Sequence, residues 1–477
     1  MTDDRSGNRR DPYSEEFKTF IVSGWAPDPD ALPERLPGAS YAAARRIQLA
    51  QEFTGTTLVV PAGPLKARSN DTDYRFRPHS AFAYYTGLGE DREPDAVLLI
   101  QDDDATLFFR PRAPRTDREF YADARYGEMW VGRRDSLEEM AAAVGLPCRD
   151  IRELEDVIRH APGPLAVIRE ADPTITALVD GSRTDEDLSR DAELERASSE
   201  ARFVKDEFEV AELRRACAAT AVGFEAIARE LPHALELGRG ERWVEGIFEL
   251  HARHLGNAIG YDTIAAGGDH ANTLHWIRND GDLRDGDLLL LDAGVEVSTL
   301  YTADITRTLP VTGRFTTPQR RVYEAVLAAQ TAGIAACRDG AAFADVHRAA
   351  ITVLAGFFEE LGILPVSAEQ SLSVDGGQHR RWMVHGTSHH LGLDVHDCAH
   401  ARAEEYRLGT LRAGMVITVE PGVYFKSTDL MVPEEYRGIG VRIEDDILIT
   451  DSDPVNLSEA LPRTADDVER WLARSRG

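Results

Sequence analysis

Four consecutive leucines that run directly into an aspartate constrain this chain more than any other stretch. Leu288 to Leu291 precede Asp292, and Ala293 and Gly294 follow it. A continuous apolar run of this length, bounded by small residues, predicts a strand buried on both faces. An ionised carboxylate at the end of such a strand must be paired, hydrogen-bonded or bound to a metal, because burying an isolated charge costs free energy.

The C-terminal half of the chain supplies further candidate ligands for a metal. Asp304 follows Asp292 by 12 residues, and this spacing predicts a hairpin that brings both carboxylates to one end of a sheet. His389 lies in a histidine-rich stretch, Glu420 ends an apolar strand pattern, and Glu444 lies within another. We therefore expect these five side chains to share a site.

This ligand set predicts a particular chemistry. Carboxylates and one imidazole suit Mn²⁺, Mg²⁺, Fe²⁺, Co²⁺ or Zn²⁺ better than Cu(I) or an iron–sulfur cluster. Five protein ligands are many for one cation, whereas two cations about 3.5–4 Å apart can share bridging carboxylates and a bridging hydroxide. Because a metal lowers the pKa of bound water to about 7, we expect hydrolysis of an amide or ester.

The roles of the remaining polar residues stay open at this level. Six histidines are crowded together, and spacing alone does not choose the ligand among them: His379, His385, His389, His390, His396 and His400. His379 and His400 are predicted to lie at the surface. Strand alternation places Arg442 on the same face as Glu444, so its guanidinium is either a salt-bridge partner of Glu444 or a substrate-binding group.

Length and charge restrict the class of protein. A chain of 477 residues exceeds one ordinary domain. Its formal net charge of −28 and the lack of a long basic block argue against nucleic acid or an anionic membrane as a partner. Four widely spaced cysteines, no N-terminal apolar signal region and no apolar stretch of membrane-spanning length predict a cytoplasmic protein with reduced thiols.

The pattern of elements predicts an α/β (α+β) chain in four segments. Residues 1–35 are a polar, proline-containing arm, residues 36–180 alternate strands and helices, residues 181–205 form a charged linker helix, and residues 206–477 form the domain with the candidate ligands. Asp206 is predicted to cap one helix, and Thr317 to cap another with proline at the first helical position.

Five motifs in this order resemble those of the pita-bread metallopeptidases, and in particular the bacterial Xaa-Pro aminopeptidases (aminopeptidase P). The motifs are Asp292-Ala-Gly, Asp304-Ile-Thr-Arg, His385-Gly-Thr-Ser-His, Glu420-Pro-Gly and Glu444-Asp-Asp. The resemblance covers roughly residues 36–477 and is densest after about residue 203. It implies a creatinase-like N-terminal domain followed by a pita-bread catalytic domain.

The resemblance also implies a role for each site residue. In such enzymes two metal ions, usually Mn²⁺, are bound. Asp292 would hold one metal ion, Asp304 and Glu444 would bridge, and His389 and Glu420 would hold the other. Glu420 would also be the general base. His385 and His396 would act on the intermediate or the leaving group, and His275 and Arg442 would contact the substrate.

The implied reaction is release of the first residue from a peptide with proline in second position. The main alternative is a prolidase, which has the same fold and ligands but cleaves Xaa-Pro dipeptides. A second alternative is a non-catalytic binding protein on the same fold; the complete ligand set argues against it. The resemblance further implies a homo-oligomer, a dimer or tetramer, acting on peptides.

Overall fold

The computed structural model describes residues 13–28, 31–90, 92–183 and 188–475. It divides into two compact units, residues 1–198 and residues 199–477. The predicted linker, residues 181–205, spans this division, and its residues 184–187 lie outside the described part of the chain. Residues 1–12, 29 and 30 of the predicted arm also lie outside it; the described part of the arm includes a short helix.

The N-terminal unit contains seven described strands and eight helices. The strands are β1 (Thr57–Pro61), β2 (Ala67–Ser69), β3 (Thr72–Asp73), β4 (Val97–Gln101), β5 (Asp104–Phe109), β6 (Cys148–Asp150) and β7 (Leu165–Val167). The helices are α1 (Glu15–Ile21), α2 (Ala39–Glu52), α3 (Ser80–Thr86), α4 (Glu119–Ala122), α5 (Glu128–Val131), α6 (Leu137–Val144), α7 (Leu154–Arg159) and α8 (Pro173–Ser182).

Five of these strands form one mixed sheet in the order β6-β5-β4-β1-β7. The inner pairs β1–β4 and β4–β5 are antiparallel, and the outer pairs β1–β7 and β5–β6 are parallel. The apolar runs that predicted the inner strands are buried, as a central strand requires. The predicted mixture of helices and strands is confirmed.

Helix α9 (Ser189–Glu200) runs through the division, and the C-terminal unit follows. Its helices are α10 (Glu207–Glu236), α11 (Gly240–Leu255), α12 (Thr317–Ala336), α13 (Phe343–Glu360), α14 (Ala368–Leu372), α15 (Ala403–Tyr406) and α16 (Ala465–Ser475). Its strands are β8 (Ala258–Ile259), β9 (Ile264–Gly267), β10 (Leu288–Ala293), β11 (Val295–Glu296), β12 (Ile305–Pro310), β13 (Val416–Val419), β14 (Gly422–Phe425), β15 (Ile439–Arg442), β16 (Asp445–Leu448) and β17 (Val455–Asn456).

Short antiparallel sheets carry the candidate site. Strand β10 lies between β9 and β12, strand β16 lies between β13 and β17, and β14 pairs with β15. All six residues of β10 are buried, as the leucine run predicted. The interior behind β13 and β16 is aliphatic, with Ile417, Val419, Ile447 and Ile449 in one cluster.

The two predicted helix caps have different outcomes. Asp206 forms the expected capping box with Glu209 at the start of α10. The cap of α12 is Thr316, not Thr317, because the Thr316 hydroxyl accepts from the backbone N–H of Gln319 while the Gln319 side chain reaches back to Thr316.

The predicted surface position of His379 is wrong. This histidine is buried in a short 3₁₀ helix, Gln378–Arg381, where the hydroxyl of Ser371 lies 2.9 Å from both its backbone nitrogen and its Nδ1. Helix α14 carries Ser371, so the burial follows from a contact between two elements. His400 is exposed, as predicted.

Within the described ranges, we find no helix that combines the length and the apolar character needed to span a membrane.

Candidate metal centre

A cavity of about 570 Å³ in the C-terminal unit is lined by all nine residues that the sequence pointed to. They are Asp292, Asp304, His389, Glu420, Glu444, His385, His396, His275 and Arg442. These residues are separated by up to 169 positions along the chain, between His275 and Glu444. The tertiary structure therefore brings these nine side chains into one cavity, as the sequence analysis expected.

Strands β10 and β12 place the first two carboxylates. They pair antiparallel with Asp292 opposite Thr306, so Asp304 comes directly before its strand and faces the end of β10. Gly294 is required at the turn because a Cβ there would lie 1.6 Å from the carbonyl oxygen of Ala303. The Asp-Ala-Gly motif thus combines a ligand with a close approach of two backbones.

One tyrosine hydroxyl joins these carboxylates. Tyr261 Oη lies 2.6 Å from Asp292 Oδ1 and 2.5 Å from Asp304 Oδ1. A hydroxyl has one proton to donate, so it satisfies only one of the two oxygens at a time. Tyr261 was not predicted from the sequence, because it belongs to none of the motifs.

Three ligand atoms form the tightest cluster. Oxygen atoms of Asp304 and Glu444 and a ring nitrogen of His389 all lie within 4.8 Å of one another. His389 Nε2 is 3.2 Å from Asp304 Oδ2, and its Nδ1 donates to the backbone carbonyl of His390 at 3.1 Å. The Nδ1 hydrogen bond orients the ring with Nε2 toward the carboxylates.

The two glutamates lie at facing breaks in the strands. Glu420 separates β13 from β14, and Glu444 separates β15 from β16. The pairing of β13 with β16 and of β14 with β15 sets these breaks opposite each other. Glu444 Oε2 accepts from the Thr306 hydroxyl at 2.7 Å, and Glu420 Oε1 lies 3.8 Å from His389 Nε2.

Arg442 is engaged with Asp292. Its Nη2 donates to Asp292 Oδ2 at 2.6 Å, its Nη1 to the Tyr424 hydroxyl at 3.0 Å and its Nε to the Thr306 hydroxyl at 3.2 Å. The salt-bridge partner of Arg442 is therefore Asp292, and not Glu444 as the strand alternation suggested. All three contacts hold the guanidinium rigidly at the cavity wall.

His385 belongs to the same network. Its Nδ1 donates to the backbone carbonyl of Gly386 at 2.6 Å, which leaves Nε2 to accept from the Tyr424 hydroxyl at 2.7 Å. Burial, aided by the positive charge of Arg442, lowers the pKa of His385 to about 3. Its imidazole is therefore neutral at neutral pH. Tyr424, like Tyr261, was not identified from the sequence.

His396 and His275 lie farther from the carboxylates. The His396 ring stands edge-on to His389 with the ring centroids 4.5 Å apart, and burial lowers the pKa of His396. His275 is exposed on the segment between β9 and β10, where it lines the cavity. Both side chains thus face the space that a substrate would occupy.

The electrostatics of the cluster fit bound cations. Among the residues that the structure describes, four buried or half-buried carboxylates face Arg442 and His389 as their cationic groups. Burial raises the pKa of Glu420 to about 7, and burial together with Asp304 raises the pKa of Glu444 well above its usual range. Burial alone would raise the pKa of Asp304, but the hydrogen bond from His389 lowers it.

The negative charges of the neighbouring carboxylates also act on His389. Burial opposes its charge, yet the hydrogen bond to Asp304 and the charges of Asp304 and Glu420 raise the pKa of His389 to about 9. The carboxylates of the cluster carry more negative charge than Arg442 and His389 neutralise. Hard oxygen ligands with one imidazole are the donor set that divalent cations of the Mn²⁺ to Zn²⁺ group take.

Comparison with known proteins gives the family. The model of metallopeptidase family M24 matches residues 211–451. The chain belongs to metallopeptidase family M24. A second model, the N-terminal domain of aminopeptidase P, matches residues 42–164. The match to M24 includes all nine cavity residues and the strands that carry them, and the resemblance to aminopeptidase P is confirmed.

Relatives across the family extend over nearly the whole chain. Xaa-Pro aminopeptidase 1 of Streptomyces coelicolor is 50% identical over 468 residues, which cover 97% of this chain and 93% of the relative. Aminopeptidase P of E. coli with the inhibitor Pro-Leu has a TM-score of 0.80 and 30% identity, covering 92% of this chain and 99% of the other. A Zn-substituted form of the E. coli protein in complex with product matches equally well, with TM-score 0.80, 30% identity and the same coverage.

Proposed function

We propose that this chain is an Xaa-Pro aminopeptidase, which hydrolyses the bond between the first residue of a peptide and a proline in second position. The observation that carries the proposal is the convergence of nine side chains in one cavity, in a chain whose relatives bear that name. Proline has no amide N–H and a fixed φ, so its peptides need a dedicated pocket. The relatives named above are Xaa-Pro aminopeptidases, and this favours the aminopeptidase over a prolidase.

The proposed cofactor is a pair of Mn²⁺ ions, with other divalent ions of the same class as alternatives. Asp292 would hold one ion, Asp304 and Glu444 would bridge, and His389 and Glu420 would hold the other. Bound cations would supply Lewis acidity and lower the pKa of water at neutral pH. The excess of carboxylates over cationic groups supports this assignment.

Glu420 is the proposed general base. In the metal-free cluster, burial raises the pKa of Glu420 to about 7, which supports a carboxylate that can take up and return a proton near neutral pH. Glu420 would take a proton from the attacking water as the new C–O bond forms. The same proton would pass to the proline nitrogen as the C–N bond breaks, which releases a secondary amine.

The remaining residues would position and stabilise the reacting groups. His396 and His385 would face the scissile carbonyl and the proline, with His385 held as a neutral imidazole by Tyr424. Arg442 would fix Asp292 and Tyr424 together. His275, on an exposed segment, would contact the peptide.

Location and assembly are also proposals. All four cysteines are free thiols, and three of them are buried, which supports a reducing compartment such as the cytoplasm. Assembly into a homodimer or homotetramer rests on the family resemblance. Peptides are the proposed partners.

The experiment that tests the function compares an Xaa-Pro dipeptide with an Xaa-Pro-Xaa tripeptide. Metal-stripped protein is assayed with and without added Mn²⁺, and the released amino acid is quantified. Metal-dependent release from the tripeptide is the expected result. Cleavage of the dipeptide alone would mean a prolidase, and no cleavage by folded, metal-loaded protein would reject the enzyme assignment.

A further inference from the structure

A second cavity, of about 610 Å³, adjoins the metal centre within the C-terminal unit. Leu274 and His275 line both cavities. Tyr424 lines the second, and its hydroxyl is hydrogen-bonded to His385, which lines the first. The two cavities therefore share a wall at Leu274 and His275, and Tyr424 links the second cavity to His385 of the first.

The second cavity contains one arginine whose charge is already neutralised. Arg381 donates to both oxygens of Asp429, through Nε and Nη2, each at 2.9 Å. Asp429 also accepts from the indole N–H of Trp382 at 3.1 Å. This bidentate pair is part of the wall and offers no net charge to a ligand.

Lys426, which also lines the second cavity, differs from Arg381 in its ion pairing. It follows Tyr424 by two residues at the end of β14, and its exposed side chain lines the cavity. Within the described residues, no carboxylate lies within ion-pair distance of its ammonium group. The acidic residue whose pKa it influences is Asp269, and the oxygens of that side chain accept from Ser427 and Asn272 instead.

We propose that this second cavity binds the part of the peptide beyond the proline, and that Lys426 binds a carboxylate there. The inference rests on the proposed function. An aminopeptidase holds one residue on one side of the scissile bond, so the rest of the peptide must leave the metal centre on the other side. A cavity of this volume, sharing a wall with the first, is of the size that ligand sites have.

The carboxylate has two sources in a peptide. It is either the free C-terminus of a short peptide or the side chain of an acidic residue after the proline. Both present the same anionic group to an ammonium that has no carboxylate at ion-pair distance among the residues that the structure describes. The chain has a net charge of −28, so this positively charged group differs in sign from the protein's overall charge.

The test uses the full-length, Mn²⁺-loaded protein and four peptides. These are Ala-Pro-Ala-Ala as the free acid, the same peptide as its C-terminal amide, and two amides with glutamate or glutamine in third position. We expect kcat/KM about threefold to fivefold higher for a carboxylate-bearing peptide than for its neutral counterpart, as for a solvent-accessible ion pair. A preference for either source supports the proposal and identifies the source.

Variants assign the preference to Lys426. Lys426→Met should abolish it through KM with little change in kcat, whereas Lys426→Arg should retain it. Lys66→Met, which removes an exposed lysine of the N-terminal unit, is the matched control and should behave as wild type. An equal kcat/KM for charged and neutral peptides in the wild type, or an undiminished preference in Lys426→Met, would overturn the proposal.

Failure of this inference can be told from failure of the proposed function. If all four peptides are cleaved without preference, the aminopeptidase assignment stands and the distal carboxylate site is rejected. If no peptide is cleaved by the folded, metal-loaded wild type, both are rejected.

Discussion

The carboxylates in the centre differ in pKa because their surroundings differ. Asp292 forms an ion pair with Arg442, and Asp304 forms one with His389. Glu420 and Glu444 interact more weakly with these positively charged groups. Burial raises the pKa of Glu420 to about 7 and also raises that of Asp292 despite its ion pair with Arg442, whereas the hydrogen bond from His389 outweighs burial and lowers that of Asp304. The same type of side chain thus serves as a fixed anion at one position and as a proton acceptor at another.

Substitution Glu420→Gln should reduce kcat by about a thousandfold, because proton transfer of this kind contributes about 10²–10⁴-fold and a ligand is lost as well. Turnover of an Xaa-Pro-Xaa tripeptide at saturating Mn²⁺ measures the effect. Glu435→Gln, at an exposed position in the same unit, is the control and should retain wild-type turnover. Substantial activity in Glu420→Gln would remove Glu420 from the role of base.

Substitution Tyr261→Phe should weaken Mn²⁺ binding by about 10–100-fold, since it removes the hydroxyl that contacts both Asp292 and Asp304. Titration of metal-stripped protein with Mn²⁺ checks this. Tyr323→Phe is a matched control, because that buried hydroxyl donates to a backbone carbonyl, that of Arg463, away from the centre. Both variants should lose about 1 kcal/mol of stability, and only Tyr261→Phe should lose metal affinity.

At the scale of elements, one buried carboxylate holds the segment that carries His275. Glu241, in the first turn of α11, is fully buried and accepts from the backbone N–H groups of Gly267 and Gly281 at 2.8 and 2.7 Å. It also lies 2.9 Å from the Trp276 indole nitrogen and 2.7 Å from His270 Nδ1. The segment from Gly267 to Gly281, which contains the short 3₁₀ helix Gly268–Asn272, is thus fixed at its two ends and in its middle.

Substitution Glu241→Gln should therefore raise KM for peptides by about tenfold and lower the free energy of unfolding by about 2 kcal/mol, because an amide cannot accept all these bonds. Steady-state kinetics and urea unfolding measure the two effects. Glu249→Gln, on the exposed side of the same helix, controls for the charge change. If Glu241→Gln lowers stability and leaves KM unchanged, the segment does not position the substrate.

At the scale of the whole molecule, the buried cluster couples metal binding to stability. The folded-state pKa of Glu420, about 7, exceeds its unfolded value of 4.5, so this group stabilises the metal-free fold below about pH 4.5 and ceases to do so as pH rises through 7. His389 has a folded-state pKa of about 9 against 6.5 unfolded, so its stabilising contribution is lost as pH rises through 9. Both groups act in the same direction.

The metal-free protein should therefore lose more of its stability than the Mn²⁺-loaded protein as pH rises from 5.5 to 8. We expect the difference in Tm between the two forms to be larger at pH 8, by about 3 °C or more. Differential scanning calorimetry at matched ionic strength measures it. The metal-free Glu420→Gln variant should show a flatter dependence between pH 5 and 7. A difference in Tm that is the same at both pH values would contradict this coupling.

The sequence by itself determined the buried strand, the candidate ligands and the family. Four leucines before Asp292 have no exposed face, so a strand buried on both sides follows from local composition alone. The order of the five motifs predicted a pita-bread metallopeptidase, and the match to metallopeptidase family M24 confirmed this. Helix α10 with its cap at Asp206 was predicted for the same local reason.

Only the tertiary structure decided which groups meet. Tyr261 contacts Asp292 and Asp304, and Tyr424 contacts His385, through tertiary packing that no sequence motif indicated. Arg442 pairs with Asp292 across 150 residues instead of with Glu444 beside it. His379 became buried because helix α14 supplies its partner. Local sequence determines whether a segment forms a helix or a strand, through the spacing of its apolar residues. Pairings such as these depend on how helices and strands that are far apart in the chain pack together.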